Sequence, residues 1–339
     1  MRPAAVARAW LQEKADSYAD GPRHAGQRLC AGHLRQGRQR SKAERQSGDR
    51  HILRPHATSA TTPPRHPNTS DRTGADNHFP AGSRSVVERW QTLVQALKSI
   101  LITGGSRGIG RAAALAAACR GWSVTISYVK DAASAQRTAQ EIQDCGGRST
   151  VVRGDLRSEA DVNAMFEASL GKYGRIDGVV LNAGTVAPAM PLSDMTVARM
   201  RETFEVNVLG VFMCARLAAR HVARPGGSVV IVSSVAARLG SAGEYIDYAG
   251  SKAAQDALTI GLSKELGPQG IRVNSVRPGV IETEIHAQSG RRDRATRLGA
   301  TTPLGRSGLP EEVAEAIVWL LSDSSSYVSG ALLDVAGGR

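Results

Sequence analysis

Short runs of β-branched residues alternate with alanine-rich segments of helical period from residue 99 to residue 339. The runs predicted as strands are 100–103, 124–128, 150–153, 178–181, 228–232, 272–276 and 331–335. The segments predicted as helices are 108–120, 132–145, 158–172, 195–222, 246–267 and 310–322. Several strands are continuously apolar, as expected of strands that are buried on both faces. The pattern predicts an α/β fold, a doubly wound parallel sheet with helices on both sides.

Residues 1–98 differ in composition from the rest of the chain. They hold 17 Lys and Arg against 8 Asp and Glu, whereas residues 99–339 hold 26 against 23. They contain few apolar residues at helical or strand spacing, so they cannot bury enough surface to offset the entropy of ordering. We therefore expect a disordered basic extension over 1–98 and a single folded domain over 99–339.

Three interpretations of this extension compete. An arm for nucleic acid or a membrane surface needs clustered Lys and Arg, but the arginines are scattered without aromatic residues between them. A targeting peptide fits Arg2 and Arg8 in an Ala-rich start, although Glu13, Asp16 and Asp20 follow closely. A dispensable tail is favoured, and nucleic acid is not expected as a partner.

The chain also carries few signs of export, metal binding or membrane insertion. Its 4 cysteines form no CxxC pair, which argues against a disulfide framework and a structural zinc site. No apolar run approaches the roughly 18 residues of a membrane span, and no continuous apolar segment resembles a secretory signal. We expect a soluble, cytoplasmic protein with no metal.

A glycine-rich turn follows the first predicted strand and opens the first predicted helix. Glycine permits a tight turn and a close backbone approach, and the first amides of a helix are unpaired donors for an anion. This placement predicts that the turn binds the pyrophosphate of a dinucleotide. The residues of the turn expected at the cofactor are Thr103, Gly104, Ser106, Arg107, Gly108, Ile109 and Gly110.

The glycine spacing differs from the common GxGxxG and resembles the TGxxxGxG turn of the short-chain dehydrogenase/reductase family. Further motifs follow in the family's order, including NAG at 182–184, YxxxK at 248–252 and PG at 278–279. The resemblance covers essentially all of 99–339 and implies a Rossmann fold. Overall the chain is similar to bacterial 3-oxoacyl-acyl-carrier-protein reductases, and 233–253 is also similar to glucose 1-dehydrogenases.

The second strand suggests which cofactor binds. An NAD site usually has an acidic residue at the end of this strand, and here none stands where the family places it. Arg107 and Lys130 would complement a 2′-phosphate, so NADP(H) is preferred and NAD(H) remains the alternative. The resemblance implies further cofactor contacts. Among them is Asp155, which could instead cap the following helix. These contacts are Tyr128, Lys130, Asp155, Leu156, Asn182, Ala183, Gly184, Tyr248, Lys252, Pro278, Gly279, Ile281 and Thr283.

Tyr248 and Lys252 are four residues apart in a predicted helix, so both side chains lie on one face. We expect the ammonium to lower the pKa of the Tyr248 phenol. The resemblance implies that Tyr248 exchanges a proton with the substrate, that Ser234 bonds its carbonyl oxygen and that Asn207 holds a water of the proton relay. The loop before Tyr248 is one residue longer than usual in the family, which leaves Ser233 as the alternative to Ser234.

These residues predict an enzyme that uses NADPH to reduce a carbonyl, such as a 3-oxoacyl thioester, to an alcohol. A sugar or alcohol dehydrogenase is the alternative, and a non-catalytic NADP(H) sensor with a basic tail represents another class. The expected partner is a small or carrier-linked carbonyl compound. The resemblance implies that 284–308 forms a lid over it, and a solvated basic loop is the alternative for this segment. The resemblance also implies a homodimer or homotetramer.

Overall fold

The computed structural model describes residues 98–285 and 294–339. Within them, seven strands are β1 (Ser99–Ile102), β2 (Ser123–Tyr128), β3 (Arg148–Arg153), β4 (Gly178–Leu181), β5 (Ser228–Val232), β6 (Arg272–Pro278) and β7 (Leu332–Val335). They form one sheet in the order β3-β2-β1-β4-β5-β6-β7, and every pairing is parallel. The predicted Rossmann-type sheet is confirmed.

The helices of the described residues connect these strands. They are α1 (Gly108–Cys119), α2 (Ala132–Asp144), α3 (Glu159–Tyr173), α4 (Val197–Phe204), α5 (Val211–His221), α6 (Ala236–Leu239), α7 (Ile246–Leu266), α8 (Arg294–Gly299) and α9 (Pro310–Leu321). A π turn, Glu205–Gly210, joins α4 to α5 inside the segment predicted as one helix. Neither this turn nor the short α6 and α8 follow from the sequence pattern.

Helices cover both faces of the sheet because side chains alternate along each strand. On β1, Ile100 and Ile102 pack in one apolar cluster with α1 and α9. Leu101, between them, packs in the second cluster with α3, α5 and α7. The buried face of α1 consists mainly of alanines, which lets this helix lie close to the sheet. The helix begins at Gly108, after the glycine-rich turn that follows β1.

The strand order reverses between β1 and β4, where the chain turns to opposite sides of the sheet. In open α/β sheets, ligands bind outside the carboxyl ends of the strands at such a point. The glycine-rich turn after β1 and Asn182 after β4 meet there: the Asn182 backbone amide donates to Thr103 Oγ1 at 3.0 Å. The topology places the candidate site at this crevice.

Two sequence predictions fall outside the described residues. They are the basic extension, except for Lys98, and the part of the expected lid at 286–293. In the remainder of that lid, Arg306 forms an ion pair with Glu312 at 2.6 Å. No helix among the described residues has the length and apolar character needed to cross a bilayer. The same residues contain no group of three or more His, Cys, Asp or Glu side chains able to hold a metal ion.

Candidate active site

The glycine-rich turn has a conformation that side chains would obstruct. Gly104 and Gly108 have φ of +65° and +54°, in the left-handed region that favours glycine. A Cβ on Gly110 would lie 2.3 Å from the Gly104 carbonyl oxygen and 2.5 Å from Asn182 Nδ2. Asn182 Nδ2 itself donates to the carbonyls of Thr103 and Gly104 at 2.9 and 3.0 Å. Asn182 of the NAG segment thus stabilises the conformation of the glycine-rich turn through these two hydrogen bonds.

The start of α1 is suited to an anionic ligand. Its N-cap residue, Arg107, makes no side-chain capping bond, and its first turn contains no acidic residue. The first amides of the helix therefore have no side-chain partner there, and the helix dipole favours a negative charge at this end. The residues present fit the pyrophosphate of a dinucleotide.

A cleft of about 790 Å³ extends from this turn to Tyr248. Its volume lies within the usual range for a small-molecule site. Three of the predicted site residues, Thr103, Gly110 and Asn207, do not line it and lie behind its wall. The predicted residues that do line it are Gly104, Ser106, Arg107, Gly108, Ile109, Tyr128, Lys130, Asp155, Leu156, Asn182, Ala183, Gly184, Ser234, Tyr248, Lys252, Pro278, Gly279, Ile281 and Thr283.

Asp155 lines the cleft just beyond the end of β3. Its carboxylate accepts hydrogen bonds from the Arg157 side chain, which lower the pKa of Asp155. The N-cap of α3 is Ser158, whose hydroxyl accepts from the Asp161 amide, so Asp155 is not the capping residue. Asp155 is therefore an ionised group at the cleft.

Sequence reasoning missed three residues of this region. Ser127 Oγ accepts from the Gly104 amide at 3.1 Å and so helps to fix the turn. Asp131 lines the cleft beside Lys130, but its carboxylate caps α2 by accepting from the Ser134 amide at 2.9 Å. An acid just before a helix is a recognisable N-cap signal. The third residue is Gln255, whose side-chain oxygen accepts a hydrogen bond from Lys252 Nζ at 3.1 Å. No sequence pattern indicates a role for Gln255.

Tyr248 stands in the first turn of α7 with its phenol at the cleft. Burial raises the pKa of Tyr248 to about 12, and a hydrogen bond with Ser234 opposes this change. Lys252 Nζ lies 5.6 Å from the centre of the Tyr248 ring. The expectation that Lys252 lowers the pKa of Tyr248 below its ordinary value is wrong for this structure, because desolvation dominates. At neutral pH the phenol is protonated and is a proton donor.

Lys252 lies one turn further along α7 and is almost fully buried. Its Nζ donates to the Val232 carbonyl at 2.8 Å and to Gln255 Oε1 at 3.1 Å. Burial lowers the pKa of Lys252 to about 8, and the Asp256 carboxylate opposes this effect. The ammonium is thus charged at neutral pH but loses its proton under mildly alkaline conditions.

The two serines after β5 differ in their contacts. Ser233 Oγ donates to the Lys252 carbonyl at 3.1 Å and so joins β5 to α7. Ser234 Oγ accepts from the Ala236 amide at 3.1 Å and is the serine that contacts the Tyr248 phenol. The geometry therefore favours Ser234 as the group beside a substrate carbonyl.

Asn207 lies in the π turn and is fully buried. Its side chain bonds both the amide and the carbonyl of Thr185, at 2.8 and 2.9 Å, and contacts Ser251 Oγ at 3.1 Å. Its backbone carbonyl accepts from Gln255 Nε2 at 2.7 Å. A π turn disturbs the helical hydrogen-bond register and is common at functional sites. Asn207 thus connects the end of β4 to α7.

Comparison with known proteins supports an oxidoreductase site. Residues 104–339 match the family model described as Enoyl-(Acyl carrier protein) reductase. An oxidoreductase of Escherichia coli strain K12, YgfF, is 46% identical over 243 residues, which are 70% of this chain and 98% of that protein. The L-rhamnose 1-dehydrogenase (NAD(P)(+)) of Sphingomonas sp. strain SKA58 is 40% identical over 71% of this chain and 95% of its own length.

A solved structure is also similar. A short-chain dehydrogenase from Burkholderia cenocepacia J2315 in complex with NADP aligns with a TM-score of 0.67 and 32% identity. The alignment covers 72% of this chain and 98% of that protein. The similarity therefore extends over the whole dehydrogenase domain of the relative and leaves the first part of this chain unmatched.

Proposed function

Because the chain belongs to the short-chain dehydrogenase/reductase family and is an NAD(P)-dependent oxidoreductase, we propose that it reduces a ketone to a secondary alcohol with NADPH. One observation carries the proposal. The half-buried phenol of Tyr248 contacts Ser234 and lies beside the Lys252 ammonium, in a cleft that also contains the glycine-rich turn. A protonated phenol in this position is a general acid for a carbonyl oxygen.

The residues of the site have distinct roles in this reaction. NADPH, when bound, supplies the hydride that reduces the carbonyl carbon. The glycine-rich turn and the first amides of α1 hold the pyrophosphate. Ser234 donates a hydrogen bond to the carbonyl oxygen and Tyr248 transfers its proton to that oxygen. The Lys252 ammonium then stabilises the phenolate, since a neighbouring cation favours the charged form.

The preference for NADP(H) rests on charge. Arg107 and Lys130 both line the adenosine end of the cleft, where a 2′-phosphate would accept hydrogen bonds from them. Asp131 lies beside them, but its carboxylate is occupied in capping α2. The similar structure from Burkholderia cenocepacia contains NADP, which agrees with this preference.

Two substrate classes follow from different observations. A 3-oxoacyl thioester, free or attached to a carrier, agrees with the overall sequence resemblance and with the description of the matched family. The relative named L-rhamnose 1-dehydrogenase favours the second class, a cyclic sugar oxidised with NADP. Both reactions need the same Ser234, Tyr248 and Lys252, because they are opposite directions of one chemistry.

A steady-state assay that follows NADPH absorbance separates these classes. The purified protein is given 3-oxoacyl thioesters with NADPH, and in parallel L-rhamnose or glucose with NADP. Rapid turnover of the thioesters supports the first class and turnover of the sugars the second. Tight NADPH binding without turnover of any carbonyl or alcohol would instead favour a non-catalytic sensor.

We also propose that the enzyme is a cytoplasmic homodimer or homotetramer. Large apolar side chains stay exposed on the α4–α5 segment and on α7, including Phe204, Leu209, Phe212 and Ile260. Exposed apolar patches of this kind commonly mark protein interfaces. Light scattering of the purified protein would give the mass of the assembly. The absence of CxxC pairs in the sequence agrees with a reducing compartment.

A further inference from the structure

Gln255 connects two residues of the candidate site through its side chain. It lies on α7, one turn after Lys252, and is 0% exposed. Its Oε1 accepts from Lys252 Nζ at 3.1 Å, and its Nε2 donates to the Asn207 carbonyl at 2.7 Å. Both ends of the amide are therefore occupied by groups at the catalytic end of the cleft.

The polar side chain of Gln255 is unusual at a fully buried position of α7 and calls for a physical explanation. A buried amide is tolerated only when its polar atoms have partners, and an apolar side chain of equal length would avoid that requirement. The partners of Gln255 belong to two different elements, α7 and the π turn that contains Asn207. The amide thus fixes the distance between the Lys252 ammonium and the π turn.

We propose that Gln255 is a positioning residue: its amide ties the Lys252 ammonium to the Asn207 carbonyl and holds it below the Tyr248 phenol. The inference rests on the proposed role of Lys252 beside Tyr248. Within the part of the chain that the structure describes, Lys252 Nζ donates to two acceptors, the Val232 backbone carbonyl and the Gln255 side-chain oxygen Oε1. Changing Gln255 therefore changes the surroundings of the ammonium without altering the backbone.

The charged groups around Lys252 set the background for a test. On α7, the Asp256 carboxylate favours the ammonium and the Tyr248 phenol lies beside it. Asp256 is itself paired with Arg277 of β6 at 2.8 Å, and Arg277 lies 3.6 Å from Asp334 of β7.

The remaining elements present neutral groups to this ammonium. The end of β4 faces it with Gly184, where a Cβ would lie 3.5 Å from Lys252 Nζ, and the end of β5 with the Val232 carbonyl. The π turn contributes Asn207, through Gln255. A substitution at Gln255 therefore leaves Asp256, Arg277 and Asp334 in place, and any new charge near Lys252 comes from the substituted side chain itself.

Two isosteric variants should move the Lys252 titration in opposite directions. Gln255→Met removes an acceptor that favours the charged form, so the pKa of Lys252 should fall below about 8. Gln255→Glu places a carboxylate on the ammonium and gives up the hydrogen bond to the Asn207 carbonyl, because an ionised carboxylate has no N–H to donate. The charge should raise the pKa of Lys252 above that value. A residue whose side chain does not contact the ammonium would leave the pKa of Lys252 unchanged in both variants.

The experiment follows the Lys252 side chain by NMR in the full chain labelled with ¹³C at lysine Cε, with the signal assigned from Lys252→Met. We expect the Lys252 midpoint to move by about one pH unit down in Gln255→Met and up in Gln255→Glu. Thr259→Val is the matched control, because Thr259 is also fully buried on α7 and its hydroxyl donates to the Gln255 backbone carbonyl at 2.9 Å. Its midpoint should equal that of the wild type.

Equal midpoints in the wild type and both Gln255 variants would overturn the proposal, as would movement of both in one direction. Circular dichroism shows whether Gln255→Met folds. If it does not, Gln255→Glu is sufficient for the test, because an unchanged or lowered Lys252 midpoint in that variant contradicts the proposal. The titration needs no substrate. If the wild-type protein turns over no carbonyl compound, the proposed function is refuted. The Lys252 titration would still test the role of Gln255, because it does not depend on turnover. Where turnover is found, the alkaline loss of kcat should move with the midpoint.

Discussion

Substitution of Gly110 by alanine tests the turn that we assign to the cofactor. The added Cβ would lie 2.3 Å from the Gly104 carbonyl oxygen, whereas ordinary contacts of this kind are 3.4–4 Å. Helix and turn must therefore separate by about 1 Å, an overpacking that costs about 1–3 kcal/mol. Displacement of the Asn182 amide from its two carbonyl acceptors costs about 1–3 kcal/mol more. The greater helix propensity of alanine returns about 1 kcal/mol.

We therefore expect Gly110→Ala to lower the free energy of unfolding by about 1–5 kcal/mol and to weaken NADPH binding by at least about tenfold. Gly171→Ala is the control, since Gly171 is also helical and a Cβ there has nothing within 4 Å. It should stabilise the protein by about 0.5–1 kcal/mol. Urea unfolding and calorimetry with NADPH measure both effects. Equal stability and equal affinity of the two variants would refute the reasoning.

Three further substitutions test other parts of the account. Asp247→Asn leaves the Arg199 guanidinium buried without its charged partner, so urea unfolding should show a loss of about 3–5 kcal/mol; a loss below about 1 kcal/mol would contradict this. The hydrogen bond from Arg306 lowers the pKa of Glu312 from 4.5 to about 2, so its stabilisation is present above 4.5 and is lost as pH falls through about 2. Because both side chains are more than a third exposed, Glu312→Gln should cost only about 1 kcal/mol at neutral pH, and a thermal-unfolding difference that does not shrink in acid would refute it. Lys130→Ala should weaken NADPH binding by about tenfold and NADH binding far less, and equal losses in calorimetry would exclude a 2′-phosphate contact.

The parallel sheet could be predicted because short β-branched runs alternate with intervals long enough for helical crossovers, which leaves few arrangements. The order of the strands was not predicted, because it depends on contacts between distant segments. The interruption at Glu205–Gly210 could not be predicted, because these residues continue the helical pattern without Gly or Pro until Gly210. The π turn depends instead on tertiary bonds, such as those of Asn207 to Thr185.

Within the site, most of the residues predicted from the sequence line one cleft, but the sequence did not reveal their surroundings. Adjacent serines on an extended segment point to opposite sides, and which side meets the cleft depends on the register of β5. The spacing of Tyr248 and Lys252 shows that they are neighbours. Their pKa values depend on burial by β4, β5 and the π turn, which no local spacing reveals. Gln255 has no sequence signal, because a buried helical position is usually a packing position.

The central claim is that the Tyr248 phenol gives its proton to a carbonyl oxygen while the cofactor is held elsewhere in the cleft. Tyr248→Phe removes the hydroxyl and keeps the ring, so turnover and NADPH affinity should separate. We predict that kcat falls by about 10²–10⁴-fold, whereas the Kd for NADPH measured by calorimetry changes by less than about threefold. A variant that retains wild-type kcat on the same carbonyl substrate would contradict the account.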